Sequence, residues 1–473
     1  MNPALHVAWL LPALNWSIRL WAIWAVPRRR SPNAARAWLL LILVAPIVGA
    51  TLYSVFGRAY LPELRKRRQE EANAIIGDSP ALAIAAAPLE VRSELAATAQ
   101  LVHRLGRFPV VGENRVELLD RYDETIDRLV ADVEAARESV HLMFYILEPD
   151  ATGRRVTEAV IRAARRGVSC RVMMDGLASR PGLKALAPEL RDAGVEVVSL
   201  LTPGTRRARR DLRNHRKIAV LDGSVGYTGS QNLVDAYGYK GRGLTYEELV
   251  VRVEGPVVWQ LQAVFLTDRF LDTGRKPEGE RHYPAPASAG TVKAQVLPSG
   301  PTYETENNER AFVQMLYGAR KRIVVTSPYF VPDRPFVDAM QAAAIRGLEV
   351  RLVTPLQADQ WLVRLAQESY YSELLAAGVK IHLYRTRFLH AKHISVDDDV
   401  CAIGSSNLDM RSFALNEEEM VFFYDRGVVA DLARVQERYI RDSDLLEDPA
   451  VWAARSPLRR TGQQLARLVD SVL

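Results

Sequence analysis

The chain has 473 residues, 48% hydrophobic and 25% charged, which excludes long disorder and suggests about three units of ordinary domain size. Two cysteines, Cys170 and Cys401, rule out a disulfide framework and a multi-cysteine zinc site. With 62 Lys and Arg against 56 Asp and Glu the net charge is +6, which suits nucleic acid, phosphates or acidic lipid without choosing among them.

Residues 1–27 carry one strongly charged side chain, Arg19, and residues 37–56 carry none. The second run has 20 residues, close to what a helix needs to cross about 30 Å of hydrocarbon. Trp9, Trp16, Trp21, Trp24 and Trp38 crowd where an aromatic belt would sit. Between Pro27 and Pro32 lies the basic turn Arg28, Arg29, Arg30, so 1–57 reads as a transmembrane helical hairpin. A signal peptide is disfavoured, because the charge follows the apolar stretch. Lys and Arg number four in the hairpin loop and five after the second run, which leaves the orientation open. Residues 58–104, charged and then alanine-rich, read as a connector with few packed contacts.

From about residue 105 strand-like runs alternate with helical ones, the pattern of an α/β layered fold. In 105–280 the runs 139–147, 169–175 and 195–201 are extended, and 152–168 and 183–194 are helical. A polar, Pro/Gly-rich linker near 275–290 follows. The cycle restarts in 291–473, with strands expected at 322–331, 348–355 and 379–385 and helices at 334–347 and 362–378. The last residues, 457–473, read as an amphipathic helix, either lying on a membrane or packed on the second half.

The halves share a motif. His215, Lys217, Asp222, Gly229, Ser230 and Asn232 recur 175 positions later as His390, Lys392, Asp397, Gly404, Ser405 and Asn407. His and Lys two apart on a strand share a face, so each imidazole has an ammonium beside it, a pairing suited to an anionic phosphate. Asp222 and Asp397, although part of the catalytic motif, have the wrong parity and read mainly as turn and support residues. Asn232 and Asn407 can donate to phosphate oxygens, and Ser230 and Ser405 complete the candidate substrate-binding set. A histidine doing covalent work needs a partner on its other nitrogen. Glu247 and Glu248, and Glu417, Glu418 and Glu419, are candidates, or else solvated strand ends. The basic run 206–217 reads as a positive funnel for an anionic substrate. His393 reads as structural, and no sequence pattern implies a metal site.

The duplicated motif resembles that of the phospholipase D superfamily. RNHRKIAVLDG, SPYFVPD, the GSSNLDMRSFALN stretch and the N-terminal spans are similar to bacterial cardiolipin synthases, over nearly the whole chain. The resemblance implies two tandem mixed-sheet domains sharing one site. It implies phosphatidyl transfer between two phosphatidylglycerol molecules, giving cardiolipin and glycerol through a phosphohistidine. Carried over by position, His215 is the nucleophile and His390 the acid/base; Lys217, Lys392, Asn232 and Asn407 hold the phosphate; Glu248 and Glu418 orient the histidines. No cofactor or metal is implied. The expected partners are phosphatidylglycerol and other anionic phospholipids, with no nucleic acid. The expected place is the bacterial inner membrane, multi-pass, with the catalytic part cytoplasmic. Two departures bear on acceptor specificity: Tyr246, Glu247 and Glu248 stand where relatives often have Trp-Arg-Asp, and the first copy reads GSQN. The alternatives are a hydrolytic membrane phospholipase D and, less favoured by the apolar N-terminus, a nuclease.

Overall fold

The computed structural model describes residues 3–28, 32–57, 61–77, 91–202, 211–237, 243–276, 288–303 and 305–467. The first half supplies strands β1 (Val111–Leu119), β2 (Ser139–Phe144), β3 (Ser169–Asp175), β4 (Glu196–Leu200), β5 (Lys217–Leu221), β6 (Val225–Gly229) and β7 (Val250–Glu254). The second supplies β8 (Val292–Ser299), β9 (Arg322–Thr326), β10 (Glu349–Pro355), β11 (Lys380–Tyr384), β12 (His393–Val396), β13 (Val400–Gly404), β14 (Asn416–Phe423) and β15 (Ser443–Leu446). The short strand Arg213–Asn214 pairs with β14 and completes a single sixteen-stranded mixed sheet.

From the centre outward the two halves repeat one order. The first runs β1-β7-β6-β5-β2-β3-β4, the second β8-β14-β13-β12-β9-β10-β11, with β15 added at its edge. Antiparallel pairing of β1 with β8, Val111 opposite Ala294, fuses them. Inner strands such as β5, with Ile218, Ala219, Val220 and Leu221 all buried, are apolar on both faces because helices cover both sides. The Ala151–Arg165 helix shows the local logic. Asp150 caps it by accepting from Gly153 N at 2.9 Å, Val156, Ala159, Val160 and Ala163 face the sheet, and Arg162 and Arg165 sit in its last turn.

The N-terminal hairpin differs from the expected pair of spans. The first helix, Pro3–Ala25, contains Pro12 and Arg19. The second run is not one helix. It forms Pro32–Val44, breaks at Ala45, and continues as Pro46–Leu52 and a π turn at Tyr53–Gly57. Pro46 lacks an N–H and disfavours the helical region for Ala45, whose φ and ψ are −129° and 79°. The chain then folds back on itself: a Cβ on Gly49 would lie 2.7 Å from the Ile42 Cα. Arg19 Nε donates to the Leu43 carbonyl at 3.1 Å, satisfying an acceptor at the broken helix end. Tyr53 is buried with its ring edge-on to Trp21 and Trp38, at 5.9 and 5.4 Å. Among the described residues no helix is long and apolar enough to cross a membrane. The outward side of these helices is nonetheless apolar, with Trp9, Leu20, Trp24, Leu40, Val44 and Val48 all exposed.

The following stretch is packed into the core. On the Glu63–Gly77 helix, Arg65 is 2% exposed and reaches Asp272 at 3.1 Å and Glu417 at 3.3 Å. Arg68 donates to the Leu271 carbonyl at 2.7 Å, at the C-terminus of the Val257–Thr273 helix. The Ala96–Gly106 helix buries Ala99 and Val102 in the core of the second half. At the other terminus, the Pro457–Arg467 helix packs on the second half through Arg459 and Gln463 to Glu368 and Arg467 to Glu373.

Deleting residues 1–57 should therefore leave a cooperatively folding protein, because the hairpin's buried residues pack mainly on one another. Arg65→Met should destabilise by about 3–5 kcal/mol, since it removes the buried guanidinium that pairs with both Asp272 and Glu417. Thermal unfolding of both variants in mild detergent checks this. A cooperative melt for the deletion and a clearly lowered melting temperature for Arg65→Met are the expected results.

Candidate active site

The backbone brings the two motifs together by a reciprocal exchange. Arg213–Asn214, just before His215, pairs in parallel with Asn416–Glu417 of the other half. Phe388–Leu389, just before His390, pairs in parallel with Tyr246–Glu247 of the first half. His215 N donates to Glu417 O at 2.9 Å and His390 N to Glu247 O at 2.8 Å. The next residue in each case is the carboxylate. His215 Nδ1 lies 2.9 Å from Glu418, and His390 Nδ1 lies 2.8 Å from Glu248. Each half's histidine is thus held by the other half's glutamate. A carboxylate only accepts, so Nδ1 carries a proton in both rings, and Nε2 faces the pocket with a lone pair in the neutral ring or an N–H in the imidazolium. His215 and His390 line one pocket of about 350 Å³.

The Gly-Ser pair of each motif holds the carboxylate strand. A Cβ on Gly229 would lie 2.4 Å from Leu249 O, and one on Gly404 2.2 Å from Glu419 O. No side chain fits at either crossing. Ser230 Oγ accepts from Leu249 N at 3.0 Å, and Ser405 Oγ accepts from Glu419 N at 3.0 Å and donates to Glu418 at 2.5 Å. Both serines are fully buried, so these two candidate substrate contacts serve the carboxylates. Asn232 and Asn407 do line the pocket. Asn232 Oδ1 accepts from Ile146 N at 3.2 Å, which leaves its amide N–H groups for a ligand.

The lysines stand one layer back. Lys217 Nζ and Lys392 Nζ each donate to the carbonyl of their own histidine at 2.5 Å. The aspartates lie at the opposite end of the strands. Asp222 and Asp397 have φ of 52° and 54° and accept from the backbone N–H groups of 137–139 and 320–322, tying each turn to the start of β2 or β9. They make no contact with the pocket, so their place in the motif is architectural. His393 is buried against Gln436 and Tyr439. Of the basic run, residues 206–210 lie outside the described residues. Arg216 is turned inward, 1% exposed, onto Asp268 and Glu417.

The family model described as "Cardiolipin synthase, PLD-like domain" matches residues 129–269 and 312–440, both copies of the motif with their surrounding sheets. The chain belongs to the cardiolipin synthase family. A second model, "Phospholipase_D-nuclease N-terminal", matches residues 18–58. Cardiolipin synthase A of Pectobacterium atrosepticum is 36% identical over 480 residues, covering 97% of each chain. Cardiolipin synthase A of Yersinia pseudotuberculosis is 37% identical over 458 residues, covering 93% of this chain and 92% of that one. The crystal structure of phosphatidylserine synthase from Haemophilus influenzae superimposes with a TM-score of 0.60 at 14% identity, over 80% of this chain and all of that one, a likeness of fold.

Within this cardiolipin synthase fold the two histidine sites are alike in geometry and unlike in charge. Burial pushes His215 well below the ordinary imidazole value, and the Lys217 and Lys392 charges add to it. Burial also lowers His390, but Glu248 beside it opposes the shift. Burial pushes Glu418 up to about 6 and Glu419 up to about 8. Burial pushes Glu248 up as well, yet the His390 and Lys392 charges reverse this and hold it below its ordinary value. Burial brings Lys217 down to about 8 and Lys392 to about 7. The His390–Glu248 pair therefore carries charge more readily than His215–Glu418.

Several pocket residues lie outside the repeated motif. Tyr145 meets the His215 ring edge-on at 4.7 Å and Tyr246 the His390 ring at 5.4 Å. Arg411 lines the pocket and donates to Asp211 O. The consecutive glutamates 417–419, readable as a solvated end, are all fully buried within β14. The strand period sends Glu418 to His215, while Glu417 meets Arg65 and Arg216, and Glu419 meets Thr228. The signal available was the repeat itself, because each copy is followed by acidic residues.

Glu248→Gln and Glu418→Gln should each lower kcat by about 10³–10⁴-fold, as expected when a carboxylate that fixes a histidine tautomer is replaced by an amide. Asp222→Asn should act on stability instead, costing about 1–3 kcal/mol through its lost backbone acceptors, with near-normal turnover per folded molecule. Steady-state kinetics alongside chemical denaturation separates the two outcomes.

Proposed function

We propose that this chain is a phosphatidyltransferase that moves a phosphatidyl group from one phosphatidylglycerol to a second, yielding cardiolipin and glycerol. The observation that carries this reading is the pair of imidazoles, each fixed through Nδ1 by a carboxylate and each facing one pocket. His215, the imidazole held more strongly neutral, is the nucleophile. Its Nε2 attacks phosphorus and the bond to the glycerol oxygen breaks. His390, whose carboxylate favours the imidazolium, protonates that oxygen. In the second step His390 takes the proton of the incoming hydroxyl. That oxygen bonds to phosphorus, the P–N bond breaks, and His215 returns to its starting state. Asn232, Asn407 and Arg411 serve the phosphoryl oxygens, with Lys217 and Lys392 supplying positive charge from behind.

Transfer requires a lipid hydroxyl to outcompete water. The apolar outer side of the N-terminal helices supports seating in a bilayer, which holds the enzyme at high local lipid concentration. The family membership and the apolar anchor favour transfer over hydrolysis, and both favour an inner-membrane location. The folded-back second run supports embedding in lipid without requiring two full spans.

Purified full-length protein with headgroup- and acyl-labelled phosphatidylglycerol should give cardiolipin and glycerol. Phosphatidic acid as the main product would make the enzyme a hydrolase. His215→Ala and His390→Ala should each bring transfer below detection while leaving the melting temperature within a few degrees. Turnover should persist after exhaustive chelation, because the residues assigned above account for each proton transfer.

The pH dependence follows from the shifted groups. Glu418 must be ionised to accept from His215, so kcat/KM should rise through about pH 6. The acid His390 loses its pocket-facing proton below the ordinary imidazole value, and Lys392 and Lys217 lose their charge near pH 7 and 8, so it should fall progressively from just beyond the Glu418 limb through that range. An anionic substrate stabilises the ammonium forms, which moves the basic limb of kcat to higher pH than that of kcat/KM. A pH series in vesicles checks both limbs.

A further inference from the structure

The duplication diverges two residues before each histidine carboxylate. In a strand, such a residue shares the face of the carboxylate. Before Glu248 it is Tyr246, whose ring meets His390 edge-on at 5.4 Å. Before Glu418 it is Asn416, the first residue of β14, which pairs with Arg213 in the short ladder that leads into His215. Asn416 Nδ2 donates to Glu418 Oε1 at 3.3 Å. A carboxylate only accepts, which fixes the amide with its nitrogen toward Glu418. The amide oxygen is buried without a partner, so this side chain is a poor choice for packing alone.

We infer, resting on the reading of His215 as nucleophile, that Asn416 is a positioning residue whose amide keeps Glu418 ionised and so keeps His215 aimed. Three donors reach this carboxylate. His215 Nδ1 lies 2.9 Å away, Ser405 Oγ donates to Oε2 at 2.5 Å, and Asn416 donates to Oε1. The serine has its counterpart in Ser230, which serves Glu248. The carboxamide is the addition of the second half. The other charged or titratable groups around Glu418 come from every side. Lys217 and Lys392 favour its charge, Asp409 and Glu419 oppose it, and Tyr145 stands across the pocket. Glu417, its other strand neighbour, is turned away onto Arg65 and Arg216. Burial pushes Glu418 up to about 6, and Lys217 with the Ser405 and Asn416 hydrogen bonds restrains the rise. Without the amide the carboxylate takes up its proton at higher pH. A protonated Glu418 no longer offers His215 a purely accepting partner, and the ring loses its fixed tautomer. The loss is confined to the acid side, because above the raised value Glu418 is ionised in the variant too.

The test reads the first step alone. Full-length enzyme in mixed detergent micelles is given phosphatidyl-p-nitrophenol, and released p-nitrophenol is measured after an alkaline quench, whatever the acceptor. The ratio of wild-type to variant kcat/KM is followed across the pH range. Asn416→Leu should move the acid limb up by about one unit, so that the variant is about tenfold slower below that limb and the gap closes on the alkaline side. Asn416→Ala keeps the test open should the leucine variant fold poorly. An acid limb that stays in place overturns the positioning role, and with a lowered melting temperature it marks a structural one. A loss equal at every pH also overturns it, marking a substrate contact. Wild type that releases p-nitrophenol but turns phosphatidylglycerol into phosphatidic acid overturns the transfer reading, while a shifted limb in the variants still upholds the role of Asn416. Wild type that releases none overturns both.

Discussion

The exchange of carboxylates between the two halves is the constraint on which the rest of the structure depends. His215 is oriented by Glu418 and His390 by Glu248, each across the junction and each next to a short parallel ladder that joins the same two segments. Neither half holds a completed histidine site of its own. The sheet fusion through β1 and β8, the close crossing at Gly229 and Gly404, and the serine hydroxyls behind them all keep these two contacts in register. A buried imidazole without its partner would lose both its tautomer and its aim, which explains why so much backbone is committed to the junction.

The junction also carries a buried charge network that reaches the N-terminal part of the chain. Glu417 is shared by Arg216 of the first half and Arg65 of the Glu63–Gly77 helix, and Asp268 and Asp272 complete it. Arg216 also donates to the carbonyls of Ser299 and Glu418. Two guanidiniums among three carboxylates, all nearly excluded from water, satisfy one another only in this arrangement. The Glu63–Gly77 helix is thereby fixed to the strand that supplies the His215 carboxylate.

Duplication gives two chemically equal histidines, and the surroundings make them unequal. Burial makes the Glu418 charge costly, whereas the His390 and Lys392 charges outweigh burial at Glu248 and keep it ionised. Burial lowers both imidazoles, and the Glu248 charge opposes that shift at His390.

Much of this was legible in the sequence. The repeat at a spacing of 175 located both histidines, both lysines and both asparagines, and the alternation of strands and helices gave the α/β class, with Ser169–Asp175 a strand as read. Parity alone removed Asp222 and Asp397 from the histidine face, because side-chain direction in a strand is a local property. The crossing of the carboxylates, the inward turn of Arg216 and the packing of Arg65 were decided only by tertiary structure. Each is a contact between residues far apart in sequence, 203 positions for His215 and Glu418 and 142 for His390 and Glu248, and nothing in local spacing distinguishes a buried glutamate from a solvated one until its partner arrives. The apolar run 37–56 carried its interruption in plain view at Pro46. Whether that proline kinks a span or folds it back depends on what the bend packs against, and Gly49 meeting Ile42 settles it in three dimensions. Sequence by itself determined which groups recur in the two motifs, since their type and spacing are local. Tertiary structure decided which partner each one has, because pairing energies belong to the folded chain.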